Sequence, residues 1–441
     1  MGYKKNQEPT DFMKETIKQR PLNRRKLVRR TIITAAMAVI FGTIACLTFL
    51  VLEPLFSNKL YPEEEPKAIV FPEETEADEI LPEDMIADDS QMQPEPTEAP
   101  VLEDEQIAQV LSEMKLGAED YISLYAGINE VAKEVQNSLV TVIGVTSDVS
   151  WLENEYESEG VVSGVIVADS GRELLILANI SSIENAESLK IILFDGSEYQ
   201  ASIKKKDSNT NLAILSIPKS FIYITTLELA VPVSLGTSAS SNLAGSPVIA
   251  LGRPLNSAKS ICFGTITSIG NSISLPDSQY QMLTTDIYGS TSASGILVNL
   301  RGQVIGIVDM SHNAEDMKNM VSAVGITELK KVIERLSNDK DIAYLGLYGI
   351  NVTNEANASL GVPFGAYITE VNMESPALEA GIQSGDVITR YDETEITSYK
   401  ELVRVLLTSN PEDKVKIGLM RQGPEGYTEM EIEVTLGYWP E

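Results

Sequence analysis

From about Ala118 onward, the chain is a succession of short runs rich in Val, Ile, Leu and Thr, separated by Gly, Asn, Asp and Ser. β-Branched residues favour strands, and the residues between the runs favour turns. Many short strands at intervals of roughly 8–12 residues predict a β-sandwich or a pair of β-barrels. An amphipathic segment at 119–138 predicts a helix before the strands, and 326–336 predicts a helix after most of them.

The charge of the chain is large and unevenly distributed. Its formal net charge is −30, but residues 1–30 carry ten Lys and Arg against three Asp and Glu, so the remainder sums to −37. Binding of nucleic acid through phosphates needs clustered Lys and Arg, so we expect no nucleic-acid partner. The two cysteines, Cys46 and Cys262, predict neither a disulfide framework nor a zinc site, and no cofactor or metal is implied.

An uncharged apolar run at 31–52 predicts a transmembrane helix. Roughly 20 apolar residues suffice to cross the hydrocarbon core of a bilayer. Arg and Lys cluster at 24–30, and positive charge stays on the cytoplasmic side, so we expect a cytoplasmic basic tail at 1–30 and an extracytoplasmic remainder. A cleaved signal peptide is the alternative, but its apolar core would span only roughly 7–15 residues.

The segment at 53–117 is acidic and rich in Pro and Glu. Residues 53–106 alone contain eighteen Asp and Glu against two Lys. Such a composition buries too little apolar surface to offset the entropy of ordering the chain. We therefore expect a disordered, extended linker, and favour a spacer over a segment that binds cations or cell wall.

Five segments of the β-rich region follow one another in the order of motifs from a known family. They are VVSGVIV (161–167), DSNTNLAILSI (207–217), GSPVIALGRPL (245–255), FGTITSIG (263–270) and GILVNLRGQVIGI (295–307). Together they resemble the HtrA/Deg-type, trypsin-like serine proteases. The resemblance implies an all-β-dominated fold at 118–336, with two six-stranded barrels and an active site between them.

The same resemblance implies that the catalytic triad is replaced. A serine protease needs a nucleophile, a base and a group that orients the base. The family's histidine position falls on Ser181, its aspartate position on Asn211, and its serine position on Ala293. Serine cannot accept a proton near neutral pH, so we expect no intact catalytic residue and no proteolysis.

Alternatives for catalysis stay open at this point. A shift of one residue in the motif match would put Ser292 or Ser294 at the nucleophile position, although Thr291 replaces a glycine that helps to shape the oxyanion site. The only histidine, His312, follows the run at 304–309, and we interpret it as an exposed loop residue rather than a relocated base. A Ser–Lys pair using one of the lysines at 204–206 is a further option.

The last unit, at 341–437, resembles the PDZ domain of the same family. The runs YLGLYGINVT (344–353) and SPALEAGIQSGDVI (375–388) carry the resemblance. A PDZ domain adds an extended peptide as a strand and holds its terminal carboxylate on backbone N–H groups. By resemblance the carboxylate loop is Tyr344, Leu345, Gly346 and Leu347, and the groove helix near 398–407 offers Leu402, Val405 and Leu406, each of which could equally be core.

These features together predict a membrane-anchored, extracytoplasmic HtrA-like pseudoprotease. It would bind protein C-termini or unfolded polypeptides in protein quality control or regulation. The alternatives are an active endopeptidase that uses Ser292 or Ser294, and an oligomeric scaffold. The stripe of Tyr121, Leu124 and Tyr125 fits either a homotrimer contact or packing on its own barrel, and a mixed oligomer with an active protease is also open.

Overall fold

The computed structural model describes residues 66–72, 117–145, 160–184, 186–240, 242–424 and 426–439, a helical stretch at 32–44, and the single residues 29 and 48. The predicted basic tail, apart from Arg29, and most of the predicted acidic linker lie outside the described residues. The predicted span at 31–52 is described only in part. Among the described residues, the structure contains no helix with the length and apolar character needed to cross a membrane.

Helix α1 (Ala118–Gln136) precedes the β-rich region, as its amphipathic pattern predicts. The carboxylate of Asp120 accepts a hydrogen bond from the Gly117 N–H at 2.7 Å, which satisfies a free donor at the helix start. Ile128, Ala132 and Val135 form the buried face of the helix, and they lie against the barrels that follow.

Six strands close the first barrel in the order β1-β2-β3-β6-β5-β4. Its interior is apolar, with Val142, Ile166, Ile176, Ile191 and Leu215 among the fully buried side chains. The strands are β1 (Leu139–Val145), β2 (Val161–Asp169), β3 (Glu173–Asn179), β4 (Ser188–Ile192), β5 (Glu198–Asp207) and β6 (Leu212–Pro218).

A second closed barrel follows a connection that contains the short helix α2 (Ile224–Leu227). Helix α3 (Ile326–Ser337) then packs Leu329 and Ile333 into the apolar cluster shared with α1 and both barrels. The strand order of this second barrel is β10-β11-β12-β9-β8-β7. The strands are β7 (Pro247–Arg253), β8 (Ser260–Leu275), β9 (Ser278–Tyr288), β10 (Ser294–Val298), β11 (Val304–Val308) and β12 (Met320–Gly325).

The C-terminal unit is a sheet with short helices, in the strand order β13-β14-β15-β17-β18 and with β16 paired to β15. Strand β13 therefore has one neighbouring strand, β14, and is an edge strand of the sheet. The elements are β13 (Leu347–Asn351), α4 (Asn354–Leu360), β14 (Ala366–Val371), α5 (Pro376–Ala380), β15 (Val387–Tyr391), β16 (Thr394–Glu395), α6 (Tyr399–Leu406), β17 (Lys414–Gly423) and β18 (Gly426–Thr435). The predicted double barrel followed by a PDZ domain is confirmed.

Both barrels and the PDZ domain belong to one compact unit, 66–441. Arg335 of α3 connects the barrels to the PDZ domain, and it is only 5 % exposed. Its guanidinium donates hydrogen bonds to the carbonyl of Leu407 at 3.0 Å and to the Asn410 side chain at 2.9 Å, both in the PDZ domain. Lys205 of β5 adds an ion pair with Asp341 at 2.7 Å. These contacts attach the PDZ domain to the barrels at a defined place.

Candidate functional site

The loop of Tyr344, Leu345, Gly346 and Leu347 leads directly into β13. Gly346 has a φ of +87°, a conformation that favours glycine. A Cβ added at Gly346 would also collide with the side chain of Ser375. The loop therefore needs a glycine for two reasons, and this conformation lets successive backbone N–H groups point to the same side.

Three of these backbone N–H groups hold one carboxylate, that of Asp277. The N–H groups of Leu345 and Gly346 both donate to Oδ2 at 2.7 Å, and the N–H of Leu347 donates to Oδ1 at 2.9 Å. The N–H of Asp277 in turn donates to the carbonyl of Leu347 at 2.7 Å. Successive N–H groups that converge in this way form an anion-binding nest. The loop is thus built to bind a carboxylate.

Asp277 lies at the tip of the β8–β9 hairpin of the second barrel. The last strand pair is Leu275 with Ser278, so Pro276 and Asp277 form a two-residue turn, with Asp277 at a φ of +53°. Asn209 of the first barrel holds the hairpin tip in place through two hydrogen bonds. Its side-chain amide donates to the Pro276 carbonyl at 3.1 Å and to the Ser278 hydroxyl at 2.9 Å.

Burial governs the electrostatics of this carboxylate. Asp277 is 7 % exposed, and burial raises its pKa to about 6, although the N–H groups of Gly346, Leu347 and Leu345 act in the opposite direction. The desolvation of the carboxylate therefore outweighs the hydrogen bonds that stabilise its charge. At pH 7 the group is still mostly ionised.

Tyr399, the first residue of α6, lies against the beginning of β13. Its hydroxyl donates to the carbonyl of Leu347 at 2.8 Å, and a Cβ added at Gly349 would collide with its ring. Tyr399 is fully buried. It therefore fills the space between the first turn of α6 and the beginning of β13.

The predicted groove residues separate into two groups. Leu402 and Leu406 are 1 % and 2 % exposed and belong to the core of the PDZ domain. Val405 is only partly buried, at the edge of the same cluster.

The sequence did not identify Tyr399 or Asp277 as site residues. No local pattern marks Asp277, because its role depends on a loop about 70 residues further along the chain.

The positions matched to the catalytic histidine and aspartate lie on neighbouring loops. The carbonyl of Asn211 accepts a hydrogen bond from Ile180, the residue before Ser181, at 2.9 Å. Ser181 is exposed, and its N–H and hydroxyl donate to the Asn179 side chain at 3.0 Å and 2.7 Å. Asn211 has a φ of +55°, which Asn tolerates better than most residues.

The serine-position loop precedes β10. Ala293 is 8 % exposed, and Ser294 is 9 % exposed with its hydroxyl accepting the N–H of Ser163 at 3.0 Å. Ser292 is exposed, and its hydroxyl lies 3.0 Å from that of Ser290. Of the two serines beside Ala293, Ser292 is therefore the accessible one.

A cavity of about 200 Å³ brings His312 to the same place as the Asn211 loop. His312 is exposed in the turn after β11, as interpreted from the sequence, and Asp309 also lines the cavity. Lys204 and Lys205 do not line this cavity. Lys204 forms an ion pair with Glu173 at 2.8 Å, and Lys205 forms one with Asp341. In the described part of the chain, no group of three His, Cys, Asp or Glu side chains is placed to hold a metal ion.

Family models match both domains. Residues 162–307 match a trypsin-like peptidase domain, and residues 346–436 match a PDZ domain. The chain is 25 % identical over 351 residues to the serine protease Do-like HtrA of Lactococcus lactis subsp. lactis, covering 70 % of this chain and 84 % of that protein. It is 28 % identical over 266 residues to the serine endoprotease DegS of Haemophilus influenzae, covering 59 % and 73 %.

The fold is also that of a solved protease structure. The HtrA-type protease AlgW with a decapeptide superimposes with a TM-score of 0.50 at 20 % identity, over 71 % of this chain and 99 % of that one. At this identity the likeness speaks for the fold.

These comparisons correct the expectation that the chain is not an enzyme. The relatives are named as serine proteases and endoproteases, and the model that matches 162–307 is that of a peptidase domain. The replacement of the triad by Ser181, Asn211 and Ala293 stays a prediction from the motif match. The chain thus contains a trypsin-like peptidase domain at 162–307 and a PDZ domain at 346–436, and it is similar to HtrA-type serine proteases that share this order of domains.

Proposed function

We propose that this protein binds the free C-termini of peptides or unfolded proteins through its PDZ loop, in extracytoplasmic protein quality control. One observation carries the proposal. The N–H groups of Leu345, Gly346 and Leu347 already bind both oxygens of a carboxylate. A hydrogen bond to an ionised acceptor is roughly twice as strong as one between neutral groups, so such a loop selects a terminal carboxylate.

The rest of a bound peptide would pair with β13. This strand has β14 on one side only, and Ile350 near its end is 47 % exposed. An extended peptide added to a free edge gains main-chain hydrogen bonds, and side-chain pockets along the edge give it specificity. Val405, on the partly buried face of α6, would contribute to such a pocket.

The test uses a pool of fluorescein-labelled decapeptides whose last three positions vary among apolar residues, and the same pool as C-terminal amides. Fluorescence anisotropy would follow binding to the full-length protein and to Asp277→Asn in mild detergent. We expect binding of the free acids and at least about tenfold weaker binding of the amides, since roughly 1.4 kcal/mol corresponds to a factor of ten. Equal affinity for acids and amides would contradict carboxylate recognition.

Proteolysis is the second candidate function. It is favoured by the accessible hydroxyl of Ser292 before β10 and by His312 at the cavity beside Asn211. A serine nucleophile needs a general base, and His312 is the only histidine of the chain. This pairing would differ from the triad of the family in the origin of its base, and it requires the loop of Ser292 to reach the cavity of His312, which Ser292 does not line.

Cleavage of unfolded casein tests this candidate. The full-length protein would be compared with Ser292→Ala and His312→Ala, and with Ser274→Ala, which changes an exposed serine of β8. We expect both site variants to lose activity by at least about a hundredfold, as for the removal of a base or nucleophile, and the control to keep it. Cleavage that survives both site substitutions would exclude this assignment.

The membrane anchor is proposed from the sequence alone. The uncharged run at 31–52 and the basic cluster at 24–30 support an N-terminus in the cytoplasm and both folded domains outside. In protoplasts, added protease should remove a C-terminal tag and leave an N-terminal tag intact. The reverse pattern would contradict this orientation.

A further inference from the structure

The turn at Asp277 offers the PDZ loop the same groups as the last residue of a peptide. Such a residue has a carboxylate, and it has a main-chain N–H on the same residue. Asp277 places its side-chain carboxylate on the N–H groups of Leu345, Gly346 and Leu347, and gives its own N–H to the Leu347 carbonyl. The barrel hairpin thus imitates a peptide terminus.

We propose that Asp277 is an internal ligand that closes the PDZ loop, so that a peptide C-terminus binds only after the Pro276–Asp277 turn has been displaced. This inference rests on the proposed peptide-binding function. Two carboxylates cannot share the same three N–H donors. The terminal carboxylate of a peptide therefore competes directly with Asp277.

The position of Asp277 makes it a strong competitor for the N–H groups of the loop. Its carboxylate is covered by the loop, and its turn is fixed by the strand pair of Leu275 and Ser278 and by Asn209. An internal ligand held on a short turn has a high effective concentration, of the order of millimolar or more. A weakly binding peptide would then leave the loop closed.

The contact is nevertheless releasable. Because the pKa of Asp277 is raised to about 6, transfer of its carboxylate from water into the loop costs more free energy than the three N–H groups return. The contact consequently depends on the docking of the PDZ domain as a whole, and a ligand that offers further main-chain hydrogen bonds along β13 can displace it.

Asp277→Asn is the direct test. Asn tolerates the φ of +53°, but its side chain carries an NH₂ group in place of one acceptor oxygen, so it cannot satisfy all three N–H groups. We expect the free-acid peptide pool to bind at least tenfold more tightly to Asp277→Asn than to the unmodified protein. Asp277→Gly, which also accepts a positive φ and has no carboxylate, should behave in the same way.

Asp392→Asn is the matched control. Asp392 is another turn aspartate at positive φ, and its carboxylate also accepts a backbone N–H, that of Lys416 at 2.7 Å, but outside the loop. Peptide affinity of this variant should equal that of the unmodified protein. A parallel gain in affinity for Asp392→Asn would mean that general loosening of the domain, and not the loss of an internal ligand, explains the effect, and would overturn the inference.

Two further outcomes separate this inference from the proposed function. Equal and measurable affinity of the free acids for the unmodified protein, Asp277→Asn and Asp277→Gly would overturn the internal ligand and leave peptide binding in place. Binding to none of the proteins would overturn the peptide-binding function and the inference with it. Hydrogen exchange at Leu345–Leu347 gives an independent readout, since these amides should exchange faster in Asp277→Asn without any peptide.

Discussion

Two opposing effects act on the carboxylate of Asp277. Its carboxylate is desolvated in the loop, and three N–H groups partly offset that loss. The groups near it are tyrosines, Tyr344, Tyr348, Tyr391 and Tyr399, and burial raises the pKa of each of them above its usual value. They therefore stay neutral over the pH range in which Asp277 titrates.

The raised pKa predicts that peptide binding weakens on acidification. The closed loop holds Asp277 with a pKa of about 6, against a usual value of 3.8. A raised pKa stabilises the closed form most fully below pH 3.8, and this contribution is lost as the pH rises through about 6. The apparent affinity of the free-acid pool should fall about tenfold between pH 7.5 and 5, while the peptide carboxylate, with a pKa of roughly 3.5, stays ionised.

Anisotropy titrations at both pH values would measure this change. In Asp277→Asn the decrease should disappear, because the titrating group is absent. A decrease of the same size in Asp277→Asn would assign the pH dependence to another group.

The limits of sequence reasoning are visible at single residues. The loop Tyr344–Leu347 could be named from its motif, because the loop and the strand after it form a local unit. Asp277 and Tyr399 could not, since each acts on Leu347 from a distant part of the chain. A tertiary contact of this kind leaves no periodicity or spacing in the sequence.

Helix α6 shows the same limit at the scale of an element. The spacing of Leu402, Val405 and Leu406 places all three on one broad face, but Leu402 and Leu406 are buried in the core whereas Val405 is only partly buried at its edge. Ser398 begins the helix: its hydroxyl accepts the N–H of Glu401 at 3.2 Å and satisfies a free donor of the first turn. Which of these side chains are buried depends on how α6 packs on β13 and β14. The periodicity of the sequence does not define that packing.

This division predicts different effects for two substitutions on α6. Leu402→Ala should lower the free energy of unfolding by about 2–5 kcal/mol, because it leaves a cavity in the PDZ core. Val405→Ala should cost only about 1 kcal/mol, since the side chain is partly exposed, and it should mainly change peptide affinity. Urea unfolding, followed by the fluorescence of Trp439 in a Trp151→Phe background, would measure both. Similar losses of stability would contradict the assignment of Val405 to the groove.

Helix α1 carries an exposed apolar stripe. Tyr121, Leu124 and Tyr125 are 59 %, 54 % and 52 % exposed, and Tyr125 also packs edge-on against Phe263 of its own barrel, with ring centroids 6.1 Å apart. The stripe considered from the sequence thus makes an intramolecular contact and still presents apolar surface. A homotrimer contact at Tyr121 and Leu124 stays a prediction.

At the scale of the whole molecule, the double barrel and the PDZ domain could be predicted because ordered motifs span most of both domains. How the two domains meet could not, because it depends on the hairpin tip at Asp277 and on Arg335. Arg335 is a charged residue in an amphipathic helix, and nothing in its surroundings along the chain distinguishes it from a solvated one.

The contacts of Arg335 predict that its removal loosens the PDZ domain. In Arg335→Ala, the carbonyls of Asp341 and Leu407 and the side chain of Asn410 would lose a buried donor. We expect a loss of stability of about 2–4 kcal/mol and faster tryptic cleavage after Lys340, in the segment between α3 and the PDZ domain. Arg404→Ala, which removes an exposed arginine, is the control. Unchanged cleavage of Arg335→Ala would contradict the docking role of Arg335.

In the proposed function, the loop of Leu345, Gly346 and Leu347 recognises a terminal carboxylate through its backbone N–H groups. The most direct measurement is NMR of Asp277→Asn labelled with ¹⁵N in Leu and Gly, titrated with the free-acid peptide pool and then with the amide pool. We expect large shifts of these three N–H signals with the free acids and small shifts with the amides. Shifts elsewhere in the protein, with these three signals unmoved, would contradict it.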